Sequence, residues 1–211
     1  VTAVTVAVVA KECLPGKVKT RLIPALGAEG AARVAAASLA DTIATVRALP
    51  AARRILFFDG DVVPESAAGF HVLPQPAGGL DERLGALFDA VQGPLLLVGM
   101  DTPQVTADDL APVFAQPERD SWFGPAEDGG FWSLYMHEPD GALIRGVPMS
   151  RDDTGAVQRA RLTDAGLEVG DLGTLLDVDE IPDAERVAAL APGSSFAAAL
   201  AAERTPSGGA R

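Results

Sequence analysis

All three lysines of the chain, Lys11, Lys17 and Lys19, fall within nine residues and are joined by Arg21, whereas the other basic residues are arginines spread over the rest. In a chain with a formal net charge of -12, positive charge concentrated this way reads as an anion site. Gly16, after Pro15, lets the backbone approach a phosphate closely, so a polyphosphate is the natural guest. The competing reading is a solvated charged loop. The P-loop pattern is absent, because Gly16-Lys17 is followed by Val18 and the earlier glycine is missing. Further along, Asp101 follows the most apolar run of the sequence, where a carboxylate can hold a hard cation against substrate phosphates or cap the turn before Pro103. Asp177 and Asp179 stand two apart, share a face if extended, and either one could complete a two-carboxylate site for Mg²⁺ or Mn²⁺.

Glu127-Asp128-Gly129-Gly130 places two carboxylates on a glycine-flanked turn, which is either a ligand-contacting loop or a plain Asp-Gly hairpin. Arg83, after Gly78-Gly79 and on the outer face of its helix, points to a phosphate or to solvent. His71 and His137 read as structural. Cys13 has lysine neighbours that would lower its pKa but no histidine beside it, which argues against a nucleophile.

The elements that position these residues follow from periodicity. Val4 to Val9 is rich in β-branched residues without two-residue alternation, the mark of a strand covered on both faces of a parallel α/β sheet. A crossover helix over about 28–49, strands at 53–58 and 70–73, and a helix carrying Leu80, Leu84, Leu87, Phe88 and Val91 follow. Pro94 to Gly99 is the most buried strand, Thr106 caps a short helix, and Trp122-Phe123 and Phe131 to Tyr135 form strands around the Glu-Asp-Gly-Gly turn. The last third holds a helix near 154–165, an acidic strand end at 177–180 and a helix started by Pro182.

At 211 residues, with 48% hydrophobic and 22% charged residues, the chain can bury a core, and wholesale disorder is excluded. One domain over 1–204 with a frayed tail at 205–211 is expected. A single cysteine and two histidines exclude a disulfide scaffold and a structural zinc site, and the acidic balance argues against nucleic acid as a partner. Val4 to Ala10 is too short to span a bilayer, so a soluble cytoplasmic protein is expected.

Ala10 to Leu22, Gly99-Met100-Asp101-Thr102-Pro103, Gly124 to Phe131 and Asp177-Val178-Asp179, in this order over about residues 4 to 190, together resemble the DUF2064 family. These are glycosyltransferase-like proteins related to arsenosugar and selenosugar synthases, within the nucleotide-diphospho-sugar transferase superfamily. The resemblance implies a GT-A type three-layer α/β/α sandwich with a mostly parallel sheet. It implies that Lys11, Gly16, Lys19 and Arg21 line nucleotide phosphates, that Arg83 joins them through the block Gly79 to Leu84, and that Asp101 and Asp179 face one Mg²⁺ or Mn²⁺. It further implies that Asp128, with Glu127 as the second choice, orients the sugar or acts as base, and that Gly129 and Gly130 border the sugar and acceptor. Cys13 stands where many relatives have proline, and Pro148-Met149-Ser150 replaces a tryptophan-containing segment.

The activity so implied is metal-dependent sugar transfer from a nucleotide-diphosphate sugar to a small acceptor. The alternatives are nucleotidyl transfer from an NTP with release of pyrophosphate, and a nucleotide-sugar binding domain without turnover.

Overall fold

The computed structural model describes residues 3–204. Seven strands form one sheet: β1 (Thr5–Lys11), β2 (Arg53–Asp59), β3 (His71–Pro74), β4 (Leu95–Gly99), β5 (Ser121–Pro125), β6 (Phe131–Met136) and β7 (Val169–Asp171), in the order β3-β2-β1-β4-β6-β5-β7. All neighbours pair in parallel except β6, which runs against β4 and β5. The helices are α1 (Ile23–Ala48), α2 (Leu80–Ala90), α3 (Ala107–Ala115), α4 (Thr154–Asp164), α5 (Ile181–Leu190) and α6 (Ser195–Arg204).

The strands lack alternation because both faces are covered. Val6 and Val8 of β1 with Leu96 and Val98 of β4 meet Leu39, Ile43 and Val46 of α1 and Leu110 and Val113 of α3. Ala7, Leu95 and Leu97 face the other way, onto Leu84, Leu87 and Phe88 of α2 and Leu162 of α4. A third apolar cluster joins Ala31 and Val34 of α1 to Val187 of α5 and Phe196 of α6, with Leu176 and Val178 of the acidic segment sealed beneath.

Thr106 caps α3 in a reciprocal box with Asp109, as its position predicts. α1 starts earlier than the periodicity suggests, because Gly27 (φ 71°) breaks it into a first turn and the long run that the apolar spacing detects. The segment 177–180 is not a strand end: it is irregular, the nearest pairing is a single bridge between Ala126 and Leu175, and the Val178 amide donates to the Asp101 carbonyl at 3.0 Å. The three-residue β7 and the alanine-rich α6 carry too little periodic signal to be read. The Asp41 carboxylate on α1 accepts the first amides of α6, from Ser195 at 3.0 Å and Phe196 at 2.7 Å. No helix among the described residues is long and apolar enough to cross a membrane. The expected tail at 205–211 lies outside the described residues.

Candidate active site

From β1 the chain goes outward to β2 and β3, then returns to the opposite side of β1 as β4. Such a reversal opens a crevice beyond the carboxyl ends of the two central strands, which is where open α/β sheets take ligands. Lys11 ends β1 and Asp101 follows β4, so the basic loop and the first carboxylate meet there by topology.

The loop after β1 turns through Gly16 (φ 76°), where the Lys17 amide donates to the Leu14 carbonyl at 3.0 Å. A Cβ on Gly16 would meet nothing within 4 Å, so the positive φ of the turn is what favours glycine at this position. Lys19 follows in a left-handed conformation (φ 46°, ψ 46°), unusual for a residue with a side chain. Its side chain turns inward and is only 6% exposed, with Nζ 2.8 Å from Asp101 Oδ1 and 3.8 Å from Asp179 Oδ1. The ammonium also donates to the Val178 carbonyl. Arg21, largely exposed, donates from Nη1 to Asp179 Oδ2 at 3.0 Å.

Asp177 completes this acidic group. Its Oδ1 is sealed from solvent with no hydrogen-bond partner. Burial first, then the charges of Asp101, Asp128 and Asp179, push its pKa up to about 7, against the lowering effect of Lys19. A cleft of about 470 Å³ is lined by Asp101, Asp128, Asp177 and Asp179 together with Lys11, Arg83 and Gly130. A recess of about 180 Å³, walled by Lys11, Lys19, Arg21, Asp101 and Asp179, lies against the same carboxylates. Five side-chain polar atoms among the described residues are buried without a partner, and three of them, Arg83 Nε, Thr102 Oγ1 and Asp177 Oδ1, belong to residues of this cleft. An unmet buried group costs about 1–3 kcal/mol, so their grouping singles out this end of the sheet as a polar one.

Arg83 does not sit on the outer face of its helix. It reaches into the cleft, donating from Nη1 to Gln75 Oε1 at 2.9 Å and Asp59 Oδ2 at 3.2 Å. Gln75 is itself fixed by the Ala10 and Phe57 carbonyls at 2.9 and 3.0 Å, so the ends of β1 and β2 aim the guanidinium. In the Glu-Asp-Gly-Gly turn, Asp128 Oδ1 accepts the Gly130 amide at 2.8 Å, and Asp128 and Gly130 both line the cleft. Glu127 and Gly129 do not. Glu127 takes Arg186 of α5 with both oxygens, at 2.9 and 3.2 Å. Gly129 (φ 87°) lies backbone to backbone against Asp152, and its carbonyl receives the Gly155 amide at 2.8 Å.

Residues that the sequence reading passed over also line the cleft: Asp59, Gln75, Thr102 and Arg151. Only Asp59 and Thr102 carried a usable signal, the first at a strand end and the second beside Asp101. Cys13 behaves contrary to the expectation from its lysine neighbours. Burial and then the Asp101 charge push the thiol up to about 11, outweighing Lys11 and Lys19. At pH 8 it is a thiol, and iodoacetamide should alkylate it roughly 100-fold more slowly than an unperturbed cysteine. Mass-spectrometric time courses with and without urea test this, and equal rates in the two would refute it.

The donor set suits a hard divalent cation, since the acidic side chains that line the cleft offer only carboxylate oxygens. Among the described residues no group of three or more His, Cys, Asp or Glu is closed into a ready cage. A cation here would therefore rest on at most two carboxylates and draw its other ligands from phosphate and water.

A model of the family described as "Uncharacterized protein conserved in bacteria (DUF2064)" matches residues 42–151. No curated protein matches the sequence. Among solved structures, a protein of Desulfovibrio desulfuricans G20, named for a nucleotide-diphospho-sugar transferase assignment, superposes with a TM-score of 0.84 at 21% identity, over 96% of this chain and 95% of that one. CMP:2-keto-3-deoxy-manno-octonic acid synthetase complexed with CTP gives 0.59 at 12% identity, over 90% and 99%. Glucosyl-3-phosphoglycerate synthase from Mycobacterium tuberculosis, in complex with Mn²⁺, UDP and glucosyl-3-phosphoglycerate, gives 0.53 at 10% identity, over 96% and 80%. These likenesses establish the fold, the three-layer α/β sandwich of the nucleotide-diphospho-sugar transferase type with its mostly parallel sheet.

Proposed function

We propose, for a chain that belongs to the DUF2064 family, that the cleft binds a nucleotide-diphosphate sugar with Mg²⁺ or Mn²⁺ and transfers the sugar to a small acceptor. The observation that carries this reading is the meeting of Lys11, Lys19 and Arg21 with Asp101, Asp177 and Asp179 at the topological reversal, beside a cleft three of whose residues carry buried polar atoms without partners. Five aspartates line that cleft against Lys11, Arg83 and Arg151, so an anionic donor meets a net negative wall. A divalent cation carried on its phosphates reverses that repulsion.

Asp101 and Asp179 would hold the cation, which when bound supplies charge neutralisation to the leaving diphosphate. The chain's own groups do the rest. Lys11 and Arg21 line the recess and hold phosphate oxygens as the anomeric carbon–oxygen bond breaks and a nucleoside diphosphate leaves. Arg83, aimed by Gln75 and a quarter exposed, offers its guanidinium to the nucleotide. Asp128 keeps one oxygen on the Gly130 amide and presents the carboxylate to the acceptor, whose proton it takes as the new glycosidic bond forms. Glu127, held by Arg186 away from the cleft, has a structural part in this scheme.

The neighbour that binds CTP favours a second reading, nucleotidyl transfer, in which the same basic loop and cation serve attack on an α-phosphate. Calorimetry with UDP-sugars, GDP-sugars and the matching NTPs, with and without Mn²⁺, followed by analysis of the product phosphate, separates the readings. Metal-dependent binding of a diphosphate sugar and release of a nucleoside diphosphate is the expected result. Pyrophosphate release moves the assignment to nucleotidyl transfer. Binding without product under any acceptor leaves a nucleotide-sugar binding domain.

A further inference from the structure

Lys19 poses a problem for any scheme in which it simply binds phosphate. Its ammonium has three hydrogens, and two are committed, to Asp101 Oδ1 at 2.8 Å and to the Val178 carbonyl, with Asp179 Oδ1 3.8 Å away. With the side chain only 6% exposed, a single hydrogen at most is left to offer a diphosphate in this arrangement. To bring its charge onto one, Lys19 must leave the carboxylates, and Asp101 would then face Asp179 with only the exposed Arg21 on the latter to compensate, beside an Asp177 oxygen that already lacks a partner. Like charges packed this closely repel unless another cation replaces the first.

We propose that Lys19 is an exchangeable internal cation: it neutralises Asp101 and Asp179 in the empty protein and gives them up to a divalent ion, passing its own charge to the donor diphosphate. This rests on the functional reading above and adds a coupling to it. A metal arriving alone has to displace a bonded ammonium that then has no anion to go to, so it binds weakly. A metal arriving with a diphosphate supplies both the replacement cation and the new partner for Lys19, so the two ligands assist each other, reciprocally. Arg21 cannot substitute, because it is largely exposed and touches only Asp179. The left-handed backbone at Lys19 is consistent with a residue placed for what its side chain must do rather than for local preference.

The test compares wild type with Lys19→Met, which keeps length and removes charge. Mn²⁺ alone is measured through the free-ion electron paramagnetic resonance signal, and UDP and GDP by calorimetry at saturating Mn²⁺. The expected pattern has opposite signs: the variant binds Mn²⁺ alone about tenfold more tightly and binds the favoured diphosphate about tenfold more weakly. A merely structural lysine would weaken both. If Lys19→Met does not fold, as judged by circular dichroism, Lys19→Gln retains a donor for the Val178 carbonyl and gives the same comparison. Unchanged or weaker Mn²⁺ binding in a folded variant, with metal-dependent diphosphate binding intact in wild type, overturns the exchange alone. Absence of Mn²⁺-dependent UDP or GDP binding in wild type overturns the functional reading beneath it.

Discussion

Asp101→Asn is expected to abolish metal-dependent binding of the diphosphate donor while leaving the protein folded. The substitution keeps the shape of the side chain but removes the charge that sits 2.8 Å from Lys19 Nζ and faces the cleft. Loss of a direct carboxylate ligand should exceed the ~10–100-fold in metal affinity that loss of an outer partner costs. Stability suffers less, because Asp101 is nearly half exposed, Lys19 retains the Val178 carbonyl and Asp179, and Asp177 is relieved of one of the negative neighbours that raise its pKa. Calorimetry with Mn²⁺ and the donor, beside a thermal melt, checks this. An unchanged dissociation constant would remove Asp101 from the metal site. Asp128→Asn is the natural contrast, since it should keep donor binding and lower turnover; full turnover with saturating metal and donor would refute its part in proton transfer.

The largest effect on stability is expected from Gly129→Ala. A Cβ there would fall on the backbone of Asp152, well inside the 3.0 Å that real Cβ atoms respect, and the φ of 87° disfavours any side chain. Neither the carbonyl of Asp152 nor the start of α4 can retreat cheaply, because the Gly155 amide is bonded to the Gly129 carbonyl and a Cβ on Gly155 would meet the Gly130 carbonyl in turn. Combining about 1 kcal/mol for the left-handed conformation with 1–3 kcal/mol for the overpacking gives about 2–4 kcal/mol. For a chain of this length that lowers the melting midpoint by about 5–15 °C. Gly16→Ala is the control. Its φ of 76° is similar but the space around it is open, so only the conformational part, about 1 kcal/mol, should be lost. Equal melting shifts for the two variants would show that the contact with Asp152 does not matter.

Much of the architecture could be read from the chain itself. The β-branched run at Val4 to Val9 and the apolar run at Leu95 to Val98 announce central strands because burial on both faces leaves no polar position in them. The stripe from Leu80 to Phe88 and the Thr106 cap are equally local signals. The concentration of lysines in one loop and the aspartate after the apolar run also pointed to the end of the sheet where the cleft opens, since strand ends and charge contrast are properties of composition and order. Where the signal was short or uniform, as in β7 and the alanine-rich α6, periodicity had nothing to register.

The orientation of individual side chains was decided only in three dimensions. Nothing near Lys19 in sequence reveals that its ammonium is bonded to a carbonyl 159 residues away, or that Arg83 is aimed by Gln75 into the cleft. Glu127 and Asp128 are adjacent and chemically alike, yet Arg186 holds the first outside the cleft while the second lines it. Asp177 and Asp179 looked interchangeable as a pair, and packing separated them into a sealed, unpartnered oxygen and an ion-paired carboxylate. Gly16 and Gly129 both take positive φ, but only the second is pressed against another backbone. The physical reason is the same throughout. Burial and backbone preference act over a few residues and leave a periodic trace, whereas electrostatic and hydrogen-bond partners are chosen among groups that the sheet topology brings together from opposite ends of the chain.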